Sequence, residues 1–299
     1  MVDFKSAMRN RPSLDKLVET AEKASGGREE DKRFWTPTRG KDGNGYAVIR
    51  FLPGREENTV PWIQYWDHAF KGPTGQWYIE KSLTTLGKPD PMSEYNQKMW
   101  QSSGENSPER KIVSSRSRNL RYVSNIEVIT DPAHPENEGQ VFLYRYGKKI
   151  HDKIMDAMKP KFPGQVAFDP FDLIGGADFV LRIVSEMVGN KSMPKYDSST
   201  FKDPNPLHAG DMDKLETIFN KQFEMGEWID PANYKSYDEL KARVAVVLGE
   251  PVPRTAREIV ATDNAQDPSP MRTVEAAGFP ETGADDDDIM AAFQRIANS

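Results

Sequence analysis

The sequence predicts an α+β protein: a small β-barrel or sandwich, helices in its second half, a helical N-terminal arm and an acidic tail. Three observations predict it. Short aromatic and β-branched runs punctuated by Gly and Pro fill residues 43–85 and 116–147. Apolar stripes at helical spacing occur near the N-terminus and again beyond residue 210. From Glu250 onward the apolar period lapses until Asp288.

Composition bounds the possibilities. A chain of 299 residues holds one large domain or two. Its mean hydropathy of −0.72 leans polar, so part of it is expected to lie outside any packed core. No run of eighteen apolar residues occurs, so no membrane span is expected. The opening MVDFKSAMRNRPSLDKL has no apolar core and is not expected to be a secretory signal. Cysteine is absent, which excludes disulfides and thiolate zinc sites and makes a reducing cytoplasm the default.

The formal net charge of −6 is unevenly placed. Residues 250–299 hold ten acidic residues against four arginines, which accounts for the whole of that −6. Residues 110–153 hold nine bases against five acids. The acidity therefore belongs to the tail, and the body carries a basic segment.

In chain order, residues 1–27 form a basic arm with Lys5, Arg9 and Arg11. Ser13 is a plausible N-cap for a short helix, and Leu14, Leu17, Val18 and Ala21 make one apolar stripe that must dock somewhere. That place is either its own body or a neighbouring copy. Residues 28–44 read as a linker; GNGYAVIRFLPG (43–54) reads as turn, strand and stop. VPWIQYWDHAF (60–70) and QWYIEKSLTT (76–85) read as a strand pair around a Gly turn. Residues 86–110 read as irregular, with Tyr95 and Trp100 as local packing plugs. Lys149–Met158 reads as a helix, Ala177–Met187 as a strand, and 188–206 as a polar loop holding Met193, Tyr196 and Phe201. Two further helices cover 211–224 and 236–248. The tail ends in DDDDIMAAFQRI, where Ile289, Met290, Phe293 and Ile296 recur at helical spacing behind Asp285, Asp286, Asp287 and Asp288.

The organising stretch is Arg116–Lys153, two strands around a turn-forming loop. Arg116, Arg118 and Arg121 precede Tyr122. In the second strand Phe142, Tyr144 and Tyr146 point one way and Val141, Leu143 and Arg145 the other, before Gly147, Lys148 and Lys149. Cations beside an aromatic face suit a single-stranded nucleic acid: phosphates demand positive charge and unpaired bases offer π-faces. The same residues suit a half-buried hairpin with core aromatics and solvated cations. These residues alone leave both readings open.

Catalytic chemistry has little to stand on. The four histidines, His68, His134, His151 and His208, have no local pairing with a nucleophile, and no nucleotide fingerprint occurs. A run of aspartates in a tail is not preorganised for a catalytic metal. The sequence is read as a non-enzyme.

GNGYAVIRFLP (43–53), WYIE (77–80), DPAHPENEGQVFLYRYGKKIHDKI (131–154) and DFVLRI (178–183) resemble the single-stranded DNA-binding, helix-destabilising protein of T-even-type bacteriophages. The resemblance spans roughly residues 1–249 and is dense in 43–83 and 116–154. It implies an OB-fold core over 28–249 whose cleft holds single-stranded DNA, with an associated subdomain at 68–110. It implies an arm, Lys5, Arg9, Arg11, Leu14, Leu17 and Val18, for cooperative self-association with other copies along the DNA. It also implies a tail, with Asp285–Asp288, Ile289 and Phe293, that binds phage replication and recombination proteins in the host cytoplasm. Arg116 and Arg118 match the family's basic triplet, Tyr122 a cleft aromatic, and Tyr144 and Tyr146 its YRFG-type strand. Tyr196 matches the aromatic of a later loop. With Arg121, Arg145, Lys148 and Lys149 these are the expected DNA contacts. Two departures stand out. The family binds zinc through one histidine and three cysteines; here His68 is retained and the cysteine positions carry Ser82, Met92 and Tyr95. No zinc is therefore expected, and packing by Trp66, Trp77, Tyr95 and Trp100 is expected to hold the subdomain. Val123 stands where the family has tryptophan, so one stacking platform is expected to be missing. An RNA-binding regulator would use the same chemistry.

Overall fold

A computed structural model describes residues 31–56, 59–188 and 191–251. The N-terminal arm with Lys5, Arg9, Arg11, Leu14, Leu17 and Val18 lies outside the described residues. So do Asp285–Asp288, Ile289 and Phe293 of the tail. Nine strands and five α-helices form a mixed α and β architecture around one sheet-rich core among the described residues.

The strands are β1 (Phe34–Trp35), β2 (Gly45–Phe51), β3 (Ile63–Lys71), β4 (Trp77–Lys81), β5 (Asn119–Thr130), β6 (Val141–Tyr146), β7 (Phe179–Val188), β8 (Lys191–Lys195) and β9 (Thr200–Phe201). Their main path runs β1-β6-β5-β2-β7-β8; β3 joins β4 to β5, and β9 adds to β7. All pairs are antiparallel except β1 with β6. From Ala47 to Phe51 central β2 is covered on both faces, so this part reads as an apolar run interrupted only by Arg50. Ala47, Ile49 and Phe51 enter the main core with Ile126, Val128, Phe179 and Leu181. Arg50 points the other way and is fully buried. Its Nη2 donates to the carbonyls of Asp172 at 2.9 Å and Asn205 at 3.0 Å, and its Nη1 lies 3.5 Å from Asp178 Oδ1. A Cβ at Gly176 would collide with the Asp172 carbonyl and crowd Arg50, so that close approach requires glycine.

The helices are α1 (Pro91–Ser102), α2 (Pro108–Ser115), α3 (Lys148–Met158), α4 (Met212–Asn220) and α5 (Tyr237–Leu248). The first two correct the irregular reading of 86–110. Asp90 caps the Ser93 N–H and Ser107 the Arg110 N–H, each followed by proline at the first helical position. Their sparse apolar residues concealed the period. The polar loop read over 188–206 is likewise corrected: it contains β8 and β9, which pair with β7. Within the linker read over 28–44, β1 pairs with β6.

The segment at 68–110 packs as a cluster of Phe70, Tyr78 and Met92 against Val244 and Val247 of α5, with Tyr95 and Leu248 at its edge. Of the four aromatics expected to hold it, only Tyr95 joins. Trp66 and Trp100 instead carry guanidiniums, those of Arg118 at 4.3 Å and Arg110 at 4.5 Å from the ring centroids. Trp77 lies outside the cluster. The helix expected over 236–248 forms as α5, with Leu240, Val244 and Val247 buried. Ser236 and Glu239 close a capping box at its start.

Candidate nucleic-acid interface

Strand parity decides which residues share a face. Trp66 pairs with Leu120, Gln64 with Tyr122, and Tyr122 with Tyr146. These residues, with Tyr144 two positions back on β6, lie on one face. Tyr65 pairs with Arg121 and Val123 with Arg145, so those belong to the opposite face. There Arg121 Nε meets Asp67 Oδ2 at 3.3 Å, and the Arg145 guanidinium lies 4.7 Å from the Phe34 ring centroid. The structure thus separates Arg121 and Arg145 from the tyrosines they adjoin in sequence. Val123, on that second face, is fully buried with Tyr65, Leu143 and Trp228.

On the first face the rings form a row. Phe171 packs on Trp62 at 5.5 Å, and Trp62 meets His151 edge-on at 5.2 Å. His151 stacks on Tyr122 at 3.9 Å and 8°. Tyr122 stacks on Tyr146 and Tyr146 on Tyr144, each at 5.6 Å. Trp35 closes the row against Tyr144 at 5.4 Å. His151 and Trp62 were missed in the sequence. The signal for His151 was present: Gly147 ends β6, and α3 begins at once, so its first turn stands beside the strand end.

Burial matters for what these rings can do. Tyr122, Tyr144, Tyr146 and Tyr196 are all at most 5% exposed and belong to the main core. Tyr146 also shares a 2.9 Å hydrogen bond with Ser124 Oγ. The hairpin is therefore a core element as well as a ring row, and truncating Tyr146 would open a cavity costing about 3–5 kcal/mol. Trp62, His151 and Trp66 are the half-exposed rings. Burial pushes the Tyr122 and Tyr196 phenols up to about 12, so neither carries a repelling negative charge near neutrality. Burial also lowers the His151 imidazole, keeping it neutral there.

The cations sort into two classes. Arg116 and Arg118 stack on rings: Arg116 is 5.8 Å from the Phe70 centroid and Arg118 4.3 Å from that of Trp66. Phe70 and Trp66 lie on the same face of β3. Neither guanidinium forms an ion pair among the described residues. Burial draws both down from the usual arginine value without approaching neutrality. Lys148 and Lys149 are exposed and meet carboxylates, Asp152 at 3.0 Å and Asp197 at 3.4 Å.

The position of Arg116 is fixed from behind. Its carbonyl accepts from Asn96 Nδ2 at 3.1 Å and faces His68 Nδ1 at 3.1 Å. His68 Nε2 faces Asp90 Oδ1 at 3.3 Å. Asp90 also accepts from the Leu83 and Ser93 N–H groups. Burial alone would raise the Asp90 carboxyl, but His68 and these two amides hold it well below the carboxylate range. Around this node Ser82 caps a short turn, Met92 is core, and Tyr95 packs at the core edge. One histidine with a serine, a thioether and a phenol is not a zinc donor set, and both nitrogens of His68 are already engaged. Among the described residues no group of three or more His, Cys, Asp or Glu gathers as metal ligands. Nor is any described helix long and apolar enough to cross a membrane.

A family profile described as gp32 DNA binding protein like matches residues 43–248. The chain is 34% identical over 253 residues to the single-stranded DNA-binding protein of Enterobacteria phage T4, covering 82% of this chain and 81% of that protein. It is 34% identical over 251 residues to the protein of the same description from Enterobacteria phage T2, covering 81% and 80%. A shorter match, 36% over 94 residues, joins it to the single-stranded DNA-binding protein of Escherichia phage SV14, covering 29% of this chain and 82% of that protein. The profile takes in the cations and every ring of the shared face except Trp35, and the chain belongs to the gp32 DNA-binding-protein-like family.

Proposed function

We propose that this chain binds single-stranded DNA without reading base edges. In this reading it coats the strand cooperatively during phage replication, recombination and repair in the cytoplasm of a bacterial host. The observation that carries the reading is the pair Arg116 and Arg118: guanidiniums stacked on rings, in no ion pair among the described residues, on the face that continues into the ring row. Phosphates take these cations with Lys148 and Lys149, releasing counterions. Bases stack on Trp62, His151 and Trp66, and on Tyr122, Tyr144, Tyr146 and Tyr196 as these become accessible, at about 1–3 kcal/mol per base. A duplex hides its base faces and forfeits that contribution. Arg121 and Arg145 support the sheet from behind. The names of the relatives agree with this ligand. We read the core of 28–249 as an OB-type barrel, and we assign the protein no catalytic step.

Residues 1–27 serve as the cooperativity arm in this proposal, and 250–299 as a tail that competes for the cationic face and recruits replication proteins. Titration with poly-dT at several salt concentrations, beside matched RNA, tests the whole reading. Deleting the tail is expected to raise affinity, most at low salt, because a tethered polyanion competes at high effective concentration. Deleting residues 1–24 is expected to abolish cooperativity and spare binding to an oligomer one site long. Equal affinity for RNA and DNA, or no binding to either, would overturn the assignment.

We further propose that the node at His68 and Asp90 does without zinc. Elemental analysis is expected to find no stoichiometric zinc, and EDTA to leave the melting temperature unchanged. Because the Asp90 carboxyl is depressed on folding, its stabilisation is complete above about pH 4 and lost progressively as the pH falls below that. Asp90→Asn should cost about 2 kcal/mol at pH 7. The gap should narrow in acid; a gap constant with pH would exclude this role for the charge.

A further inference from the structure

Two lysines of α3 reach across to one residue. Lys149 Nζ stands 3.4 Å from Asp197 Oδ1, and Lys153 Nζ donates to the Asp197 carbonyl at 2.9 Å. The Asp197 side chain is 70% exposed. Its neighbour Tyr196 is only 4% exposed and sits in the core cluster with Tyr122, Tyr144 and Tyr146. The residue that meets the lysines is thus joined directly to one that closes the tyrosine cluster.

The rest of this segment is fastened differently. Ser199 Oγ accepts from the Arg182 N–H at 2.9 Å and donates to the Arg182 carbonyl at 3.0 Å. Ser199 N–H returns to the Tyr196 carbonyl at 3.0 Å. Arg182 Nη1 donates to the Ser198 carbonyl at 3.1 Å. The Ser199 end is therefore anchored to β7 by backbone-directed bonds. The Asp197 end is held to α3 by exposed lysines, and an exposed ion pair contributes little net stability. The segment is thus fastened to β7 on both sides, at Lys195 through the β7–β8 pairing and at Ser199, while its contact with α3 rests on two lysines at Asp197.

We propose that Asp197 is an affinity-determining residue of the nucleic-acid interface, its carboxylate occupying the place of a phosphate on Lys149 in the free protein. A DNA phosphate that takes Lys149 and Lys153 frees Asp197 from α3 and loosens the turn that follows Tyr196. This rests on the single-stranded DNA reading above. The exchange is favourable because a phosphate brings several charged acceptor oxygens where Asp197 brings a single carboxylate contact. A DNA strand also releases condensed counterions that the exposed pair does not hold.

The test uses the full chain, dT8 as probe, and Asp197→Asn beside Glu216→Gln, an exposed acidic position on α4 away from the interface. Asp197→Asn is expected to bind dT8 about two- to fivefold more tightly at low salt, with the gap closing at high salt. Glu216→Gln should bind as the parent does. Amide hydrogen exchange at Asp197–Ser199 should quicken in free Asp197→Asn, and in the parent when dT8 is added. Unchanged exchange in the free variant would remove the fastening role of Asp197. Slower exchange on adding dT8 would mean that the segment closes over DNA, which also overturns the proposal. A parent that fails to bind dT8 would overturn the DNA reading itself, while exchange in the free variant would still decide whether Asp197 fastens the segment.

Discussion

Replacing Arg116 and Arg118 together by alanine is expected to weaken poly-dT binding about 25-fold at 0.1 M salt. The magnitude follows from counterion release. For single strands log K falls by about 0.7 per phosphate contact for each tenfold rise in salt, so each contact is worth about fivefold at 0.1 M relative to 1 M. Two contacts multiply, and the salt slope should fall by about 1.4. Both side chains also pack on rings, so a melting curve must accompany the titration. Arg145→Ala is the informative comparison. It lies in the same basic stretch but across the sheet, against Phe34. Its slope should match that of the parent. If Arg145→Ala and the double variant change the slope alike, the face assignment is wrong.

Arg50→Met should be among the most damaging single changes to the core. The methionine fills similar volume but leaves the Asn205 carbonyl without its buried donor, leaves the Asp172 carbonyl with the Gly176 N–H alone at 3.0 Å, and removes the charge facing Asp178. One orphaned acceptor costs about 1–3 kcal/mol, and the less fully paired Asp178 charge adds to it, so a loss of about 3 kcal/mol is expected. For a folded unit of this size that corresponds to a drop of roughly 6–12 °C in melting temperature. Asp178 retains Lys202 at 3.3 Å, which limits the damage from the lost charge. Thermal unfolding by circular dichroism measures it. A drop below about 2 °C would mean that water or backbone relaxation replaces the guanidinium.

Much of the hairpin was legible because its evidence is local. The alternation of Val141–Tyr146, the stop at Gly147 and the helix that follows all depend on period and punctuation. Parity likewise puts Arg121 and Tyr122 on opposite faces once both lie in β5. It cannot be extended back to Arg116, which caps α2, nor to Arg118, which precedes the strand. Whether tyrosines on a strand are platform or core is not a local property, since both environments favour the same residue types. Asp197 was invisible for the same reason: its lysines lie 44 and 48 positions away. The helices α1 and α2 did have local signals, the Asp-Pro and Ser-Pro caps. Those signals were outweighed by the scarcity of apolar residues after them.

The placement of β2 also bears on how the chain is made. This strand leaves the ribosome early, but its two neighbours are β5 and β7, which end at Thr130 and Val188. At about 5–20 residues per second, the wait between Phe51 and the end of β7 is on the order of 10 s. Through that interval a strand containing Ala47, Val48, Ile49 and Phe51 has an open hydrogen-bonding edge. Pairings so distant in sequence also slow refolding of the finished chain. Yield in the cell should therefore respond to growth temperature and chaperone supply more strongly than the stability of the finished protein alone would predict.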